Sequence, residues 1–378
     1  MAALFGTPSA FLGIDIGSSS LKLVELVNRR QRLEVATYAQ ASLPNLLVTP
    51  SPDENAAVSR VADTIAAMMD KSGVSTDTVL AALPSSIVFS TVLTLPSLPD
   101  QEIDKAVRFA ARDIVPADLD EMVLGWSRVG ETPHMDTDET AKLSMGAEAL
   151  REGGRPPSNQ PTASSIPIFV TAAPKNIVSR YLKVMSLLRL RVQALEVETF
   201  SLVRSLFENP ATAEGLIADI GDVTTTFHII AAGTPRLSHT IEFGGHAITS
   251  HLASALQLSP EAAEAEKIAH GAGKTGQASF QQAVAEAVQP LLDQARQLLS
   301  LYASQSGRTI RRSLLIGGGA NLKGLTQMWT TSLGHQAVVG NPWRGLAYPQ
   351  ALEAQLQTLG PTYAVAVGLA ERGARSLQ

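Results

Sequence analysis

Two stretches in opposite halves of the chain carry residue types that could hold a polyphosphate. In the first, Asp15 ends an apolar run and Lys22 lies early in the next one. The turn between them consists of Gly17, Ser18, Ser19 and Ser20. Glycine lets the backbone approach a phosphate closely, and the turn supplies amide and hydroxyl donors. Lys22 would neutralise phosphate oxygens, and Asp15 could hold a metal ion.

The order Asp-Ile-Gly, followed by hydroxyl residues and a strand, occurs again 204 residues later. The second copy contains Asp219, Gly221, Asp222, Thr224 and Thr225. A single turn of this kind usually has no ligand. Two matched copies predict two turns that bind one ATP molecule between them. Magnesium keeps several waters and takes few carboxylates, so Asp15 and Asp219 are predicted to hold Mg²⁺ through water.

The threonine and aspartate residues of the second turn are predicted to have different roles. Thr224 and Thr225 are predicted to bond phosphate oxygens. If hydrolysis occurs, Asp219 is the candidate catalytic residue, because phosphoryl transfer needs a positioned water more than covalent chemistry. Asp222 places a further carboxylate near the γ-phosphate, so hydrolysis is expected to be slow or absent.

A third motif follows near the C-terminal end. A short apolar strand leads into Gly317, Gly318 and Gly319, and Asn321 follows in the predicted helix start. A helix N-terminus favours acceptor groups, and bare glycines let a flat base lie against the backbone. This stretch is therefore predicted to hold adenosine.

Composition limits the possible classes of protein. The chain has 378 residues, 45% hydrophobic and 17% charged, which predicts two or three packed domains. A net charge of −5 argues against nucleic-acid binding. The absence of cysteine excludes disulfides and thiolate chemistry. No apolar run is long enough to predict a membrane span.

Helix signals lie between these motifs. Asp100 is predicted to cap a helix from Gln101 to Ile114, and Asn176 to Leu190 reads as an amphipathic helix. Ser259 followed by Pro260 predicts another helix start. Gly271 to Thr275 ends like a phosphate-binding Walker A loop, but a helix rather than a strand is predicted before it, so that interpretation is rejected.

The three motifs, in this order, resemble the phosphate-1, phosphate-2 and adenosine motifs of the actin-like ATPase superfamily. The resemblance implies two RNase H-like domains around a cleft for ATP and Mg²⁺. It adds Gly244 and Gly245, at a predicted helix start, to the nucleotide-binding residues. Glu264 and Lys267, three residues apart on one helix face, are then either an ordinary surface ion pair or a pair that holds ribose hydroxyls.

The block between the phosphate motifs resembles the 1C (SHS2) subdomain of the PilM family of type IV pilus assembly proteins and of the related FtsA. The resemblance rests on Ala82 to Phe89, Leu93 to Pro99, Glu102 to Pro116, Ala172 to Pro174 and Leu195 to Arg204. FtsA typically ends in an amphipathic membrane helix, whereas Glu371 to Gln378 has no apolar face, which favours the PilM family.

The resemblance implies a division of the chain. Residues 1–84 with 191–209 form subdomain 1A, and 85–190 form 1C with a flexible loop at 130–166. Residues 210–243 with 313–361 form 2A, 244–312 form 2B, and 362–378 form a connector helix and tail.

The function implied is that of an ATP-responsive adaptor of a type IV pilus or type II secretion platform. Its partner would be the N-terminal cytoplasmic peptide of a PilN-type inner-membrane protein. The chain would then lie in the cytoplasm, at the inner membrane through that partner, with self-association possible. The alternatives are an FtsA-like filament former and, less favoured, a small-molecule kinase of the same superfamily.

Overall fold

The computed structural model describes residues 9–29, 32–129, 165–273 and 278–375. Most of the predicted loop, residues 130–164, lies outside these ranges. Ser165 and Ile166, which the prediction placed in that loop, instead begin a strand.

Within these ranges the structure forms thirteen strands. They are β1 (Ser9–Ile16), β2 (Ser20–Arg29), β3 (Arg32–Ser42), β4 (Thr78–Leu83), β5 (Phe89–Pro96), β6 (Met122–Arg128), β7 (Ser165–Pro174), β8 (Arg191–Val197), β9 (Gly215–Ile220), β10 (Thr225–Ala231), β11 (Thr234–Ile241), β12 (Arg312–Ile316) and β13 (Gln336–Val339).

The same ranges contain ten α-helices. They are α1 (Glu54–Ser72), α2 (Asp100–Ile114), α3 (Lys175–Leu187), α4 (Glu198–Leu206), α5 (Gly245–Leu256), α6 (Pro260–His270), α7 (Ala278–Ser306), α8 (Leu325–Leu333), α9 (Glu353–Leu359) and α10 (Ala364–Arg375). Each of them is too short or too polar to cross a lipid bilayer.

Two five-stranded sheets repeat one topology. The first has the order β3-β2-β1-β4-β8 and the second the order β11-β10-β9-β12-β13. In each sheet the first three strands are antiparallel, and the last two run parallel to the central strand. The turns β1-β2 and β9-β10, which carry the predicted phosphate motifs, therefore occupy equivalent places in the two sheets.

A third sheet, of order β5-β7-β6, is inserted between β4 and β8. Helix α3 follows β7 and joins this block to the first sheet. Its Val178, Tyr181 and Val184 belong to the same hydrophobic core as Leu12 and Ile14 of β1. The inserted block therefore shares a core with the strand that leads into the first phosphate turn.

Local signals explain most helix ends. Ser259 accepts a hydrogen bond from Ala262 N at the start of α6, which confirms the predicted Ser-Pro cap. A helix, α6, directly precedes Gly271 as predicted, whereas a Walker A loop would follow a strand. Lys274 and Thr275 of that stretch lie outside the described residues. The predicted cap at Asp100 is wrong. That residue is already helical, and Pro99 occupies the cap position without a side-chain bond.

Helices α4 and α10 pack closely against each other where the two halves of the chain are joined. A Cβ on Gly368 would come within 2.0 Å of Ser201 O, so only glycine allows this approach. Beside it, Glu196 accepts hydrogen bonds from Ser201 Oγ at 2.6 Å and from Arg204 Nη1 at 2.9 Å, and it pairs with Arg372. Burial alone would raise the pKa of Glu196, but Arg204 and Arg372 lower it to about 2.

Replacing Glu196 by Gln is expected to lower the free energy of unfolding by about 3–5 kcal/mol, because two guanidinium groups lose their buried counter-charge. The contribution of Glu196 should be present above pH 4.5, its ordinary pKa, and be lost as the pH falls toward about 2. Urea denaturation at neutral and acidic pH measures both effects.

The matched control is Glu121→Gln, which removes the charge of an exposed glutamate. It should change the unfolding free energy by less than about 0.5 kcal/mol. Equal stabilities of the two variants at neutral pH would contradict a structural role for the Glu196 cluster.

Candidate functional site

The two predicted phosphate turns meet at one cleft between the five-stranded sheets. Thr224 Oγ1 lies 3.4 Å from Ser18 Oγ, although 206 residues separate them in the chain. A Cβ on Gly221 would lie 3.8 Å from the same Ser18 oxygen. The cleft has a volume of about 730 Å³.

The two turns are closed by the same hydrogen bond. Gly17 N donates to Ser20 O at 3.0 Å in the first turn, and Gly221 N donates to Thr224 O at 2.9 Å in the second. Each turn connects two antiparallel strands, so its backbone conformation is fixed by the sheet on both sides. The sequence repeat is therefore a structural repeat.

Strand register places the charged side chains at the cleft. Asp15 and Lys22 are direct partners across β1 and β2, so both side chains emerge on the same face of the sheet. Asp15 Oδ2 lies 3.8 Å from Lys22 Nζ. On the other side, Asp219 pairs with Thr226. Asp15, Lys22, Asp219 and Thr226 all line the cleft.

Most residues of the three predicted motifs lie together in the cleft. Those that line it are Asp15, Gly17, Ser18, Ser19, Ser20, Lys22, Asp219, Gly221, Asp222, Thr224, Gly317 and Gly318. Asp222 follows Gly221 in the second turn, and it is exposed.

Thr225 is not brought into the cleft. Its side chain is buried, and its Oγ1 donates to Phe243 O at 2.7 Å. Successive residues of a strand point to opposite faces, so Thr224 and Thr226 face the cleft and Thr225 does not. The sequence predicts that Thr224 and Thr225 both bond phosphate oxygens, but the alternation of the strand places Thr224 and Thr226 at the cleft.

Gly244, Gly245, Glu264 and Lys267 lie behind the second turn and outside the residues that line the cleft. Gly245 N donates to Gly221 O at 2.9 Å, so the start of α5 supports that turn. Lys267 Nζ pairs with Glu264 Oε2 at 2.6 Å and donates to Gly245 O at 3.0 Å. The Glu264–Lys267 pair therefore braces the start of α5.

The three glycines of the adenosine motif have different surroundings. A Cβ on Gly317 would meet Asp219 Oδ1 at 2.5 Å, and its φ is +78°, so only glycine fits there. Gly318 has open space beside it. Gly319 packs against Ile220 and does not line the cleft. Asn321 is also outside the cleft, and its Nδ2 donates to Thr358 O at 3.0 Å.

Asp15 is buried in the cleft and Asp219 is half-buried, and their two carboxyl groups interact with each other. Burial raises the pKa of Asp15, and Lys22 opposes this shift. Burial, opposed by Lys22 and reinforced by the charge of Asp15, raises the pKa of Asp219 to about 6. Five acidic side chains line the cleft, against Lys22 as its one basic residue in the described ranges. Such a site favours a cation.

Glu198 is a cleft residue that the site prediction missed. Burial raises its pKa to about 8, with further contributions from Asp219 and Asp15. Its Oε1 accepts a hydrogen bond from Ser85 N at 2.9 Å. The run from Leu195 to Arg204 resembles the family in sequence, and this resemblance could have indicated Glu198. The place of Glu198 in the cleft depends on where β8 ends.

Known proteins resemble this chain in sequence and in structure. The family model for the type IV pilus assembly protein PilM matches residues 13–148 and 155–374. The cell division protein FtsA of Streptococcus pneumoniae is 22% identical over 270 residues, which are 69% of this chain and 56% of FtsA. The chain thus spans little more than half the length of that relative.

Two solved structures show the fold. A chain of a PilM-PilN type IV pilus biogenesis complex is 25% identical, with a TM-score of 0.73 over 96% of this chain and 98% of that one. The ethanolamine utilization protein EutJ of Carboxydothermus hydrogenoformans is 16% identical, with a TM-score of 0.50 over 96% and 90%.

The fold is the actin-like ATPase fold, with the three-stranded block as the inserted 1C subdomain. The family model covers most of the chain. On this evidence the chain belongs to the PilM family of type IV pilus assembly proteins.

Proposed function

We propose that the cleft binds ATP together with Mg²⁺. The observation that carries this proposal is the contact between two turns of the same hydrogen-bonded form, Ser18 facing Thr224 at 3.4 Å. Each turn presents hydroxyl groups and a nearby carboxylate to one space. A chain of phosphates is the ligand that such a pair of turns suits.

The remaining parts of the nucleotide have places along the cleft. Lys22 would be the cation for the phosphate oxygens, and the hydroxyls of Ser18 and Thr224, 3.4 Å apart, would donate to the same part of the phosphate chain. Adenine would lie beside Gly317 and Gly318, because the open space next to Gly318 leaves room for a flat ring. Glu264 and Lys267 lie on α6, outside the residues that line the cleft, so a contact with ribose would need α6 to move toward the cleft.

The acidic side chains fit a hydrated magnesium ion. The described residues contain no cluster of three or more His, Asp or Glu side chains that could hold a metal directly. Asp15 and Asp219 would therefore hold waters of the ion, as Mg²⁺ favours. When bound, the ion would offset the repulsion between the cleft carboxylates and the phosphates.

Hydrolysis would depend on how a water is held at the terminal phosphate. Asp219 remains our candidate to orient this water, because it is half-buried in the cleft near the end of β9, which leads into the second turn. Asp222 is exposed at the end of its turn, where solvent screens its charge. Lys22 is the lone basic side chain that the described part of the cleft offers to the transition state, so we expect slow turnover.

We also propose that the chain binds the N-terminal peptide of a PilN-type membrane protein and responds to nucleotide in doing so. Support comes from the family and from the similar structure of a PilM-PilN complex. The inserted block and the first sheet share one hydrophobic core, so a partner held between them could be sensed at the cleft.

Lys22→Met is expected to weaken binding of Mg²⁺-ATP by roughly 10- to 150-fold, because it removes a charged contact to phosphate that is worth about 1.5–3 kcal/mol. Isothermal titration calorimetry measures the affinity. Lys71→Met removes an exposed lysine of α1 and should bind like the unaltered protein. If Lys22→Met also binds normally, the phosphates do not lie between the turns.

Binding of Mg²⁺-ATP should weaken as the pH is lowered through the pKa of Asp219, about 6. The raised pKa means that the carboxylate becomes protonated there and releases its hold on the ion. Between pH 7.5 and 5.5 we expect a loss of about fourfold in affinity from this group.

Asp219→Asn provides the control for this pH dependence, because the titration of ATP itself is common to both proteins. The variant should bind more weakly at pH 7.5, with a shallower slope toward low pH. Equal slopes for the two proteins in calorimetric titrations would show that Asp219 does not face the ion.

A synthetic N-terminal peptide of a PilN-type protein is expected to bind saturably, whereas a peptide of scrambled sequence should not. Fluorescence anisotropy of the labelled peptide, with and without Mg²⁺-ATP, measures the affinity. Absence of saturable binding under both conditions would overturn the proposed partner and leave the nucleotide proposal in place.

A further inference from the structure

The segment between β3 and α1, residues 43–53, lies between the first phosphate turn and the inserted block. Its backbone is bonded to the turn, because Leu43 N donates to Ser19 O at 3.1 Å and Asn45 N donates to Ser18 O at 3.2 Å. Asn45 and Thr49 of this segment line the cleft. The segment therefore forms a wall of the site and holds two carbonyls of the turn.

These two bonds fix the direction of the turn's amides. In a trans peptide the C=O and N–H groups point in opposite directions. With the carbonyls of Ser18 and Ser19 held on the side of segment 43–53, the N–H groups of Ser19 and Ser20 point away from it. A shift of Asn45 would thus rotate the amide donors that a phosphate needs.

Asn45 is the central residue of this contact. Its side chain is buried, with Nδ2 donating to Ile16 O at 2.8 Å and to Tyr181 Oη at 3.1 Å. Its Oδ1 accepts from Leu47 N at 3.1 Å. One amide side chain therefore joins the end of β1, segment 43–53 and helix α3.

Tyr181 brings α3 to the back of the cleft. It is fully buried, and burial raises the pKa of its hydroxyl. The charges of Asp15 and Glu198 add to this shift, so the hydroxyl lies within the field of two cleft carboxylates. A change in the net charge of the cleft would therefore change the electrostatic potential at the Tyr181 hydroxyl.

A second set of bonds holds α3 to the same segment, at Leu47, and to the start of α1, at Glu54 and Asn55. Arg180 Nη1 donates to Leu47 O at 2.9 Å, and Arg180 also pairs with Glu54 at the start of α1. Lys183 Nζ donates to Asn55 Oδ1 at 2.6 Å. A movement of helix α3 relative to the first sheet would therefore disturb its hydrogen bond to segment 43–53.

We propose that Asn45 is a positioning residue that, through its bond to Tyr181, couples the shape of the Ser18–Ser20 turn to the inserted block. Nucleotide in the cleft and a peptide on the inserted block then change each other's affinity. This inference rests on the proposed function, since it assumes both ligands, and it adds the route between them. Such coupling is reciprocal, with typical factors of about 5- to 150-fold.

The test is Tyr181→Phe, which removes one hydroxyl and leaves the ring in the core. The probes are the synthetic PilN-type peptide and the non-hydrolysable analogue AMPPNP with Mg²⁺. In the unaltered protein, AMPPNP should change the peptide affinity by at least about fivefold. In Tyr181→Phe that ratio should fall below about twofold, while each ligand alone still binds.

Tyr302→Phe is the matched control. Tyr302 is also buried, but it lies in the core of the other half of the chain. It should keep the coupling ratio of the unaltered protein. The ratio separates coupling from a general loss of stability, because a merely structural role would weaken both ligands without changing their mutual effect.

The outcomes distinguish the two proposals. If the unaltered protein binds neither ligand, the proposed function and the coupling both fall. If it binds both with no mutual effect, or if Tyr181→Phe keeps the full ratio, the role of Asn45 is overturned and the proposed function stands.

Hydrogen exchange on the unaltered protein gives a second measurement that needs no variant. Mg²⁺-AMPPNP should slow exchange in segment 43–53 and in α3 by at least about threefold, as well as in the turn itself. Protection that stops at the turn would contradict the proposed route through Asn45.

Discussion

The contact between Ser18 and Thr224 is the constraint on which the site depends. It requires two hairpins, 206 residues apart, to end at the same point in space. Each hairpin is held in a five-stranded sheet of the same order, so the two turns that meet here are equivalent parts of the two sheets. Helices α4 and α10, packed at Gly368 and both bonded to Glu196, lie where the two halves of the chain are joined.

The charge of the cleft follows from this arrangement. Bringing the turns together also brings Asp15 and Asp219 into one cleft, where Asp15 is buried and Asp219 is half-buried. Their raised pKa values express the cost of keeping two carboxylates there. A divalent cation that binds with a polyphosphate would lower the repulsion between these carboxylates. The ion and the phosphates would therefore each favour the binding of the other.

The motifs of the sequence predicted the fold because local and long-range signals agree. Asp15 and Lys22 fall in register across a hairpin, and the repeat at Asp219 occupies the equivalent turn. The helix from Ser259 was also predictable, because its cap is local. The prediction was wrong at Asp100, where Pro99 takes the cap position, and at Ser165, where a strand begins earlier than composition indicates. The domain boundaries drawn from the sequence stay a prediction.

Site residues were harder to predict where tertiary geometry decides their orientation. Strand alternation turns Thr225 away from the cleft, and packing against Ile220 does the same to Gly319. Glu198 and Asn45 reach the cleft from elements without a phosphate motif, and only the family resemblance of Leu195 to Arg204 could have indicated Glu198. The most direct test of the account is a crystal structure with Mg²⁺ and AMPPNP. We predict a triphosphate between the Ser18 and Thr224 turns with the ion beside Asp15 and Asp219. An empty cleft at saturating nucleotide, or a nucleotide bound elsewhere, would contradict the account.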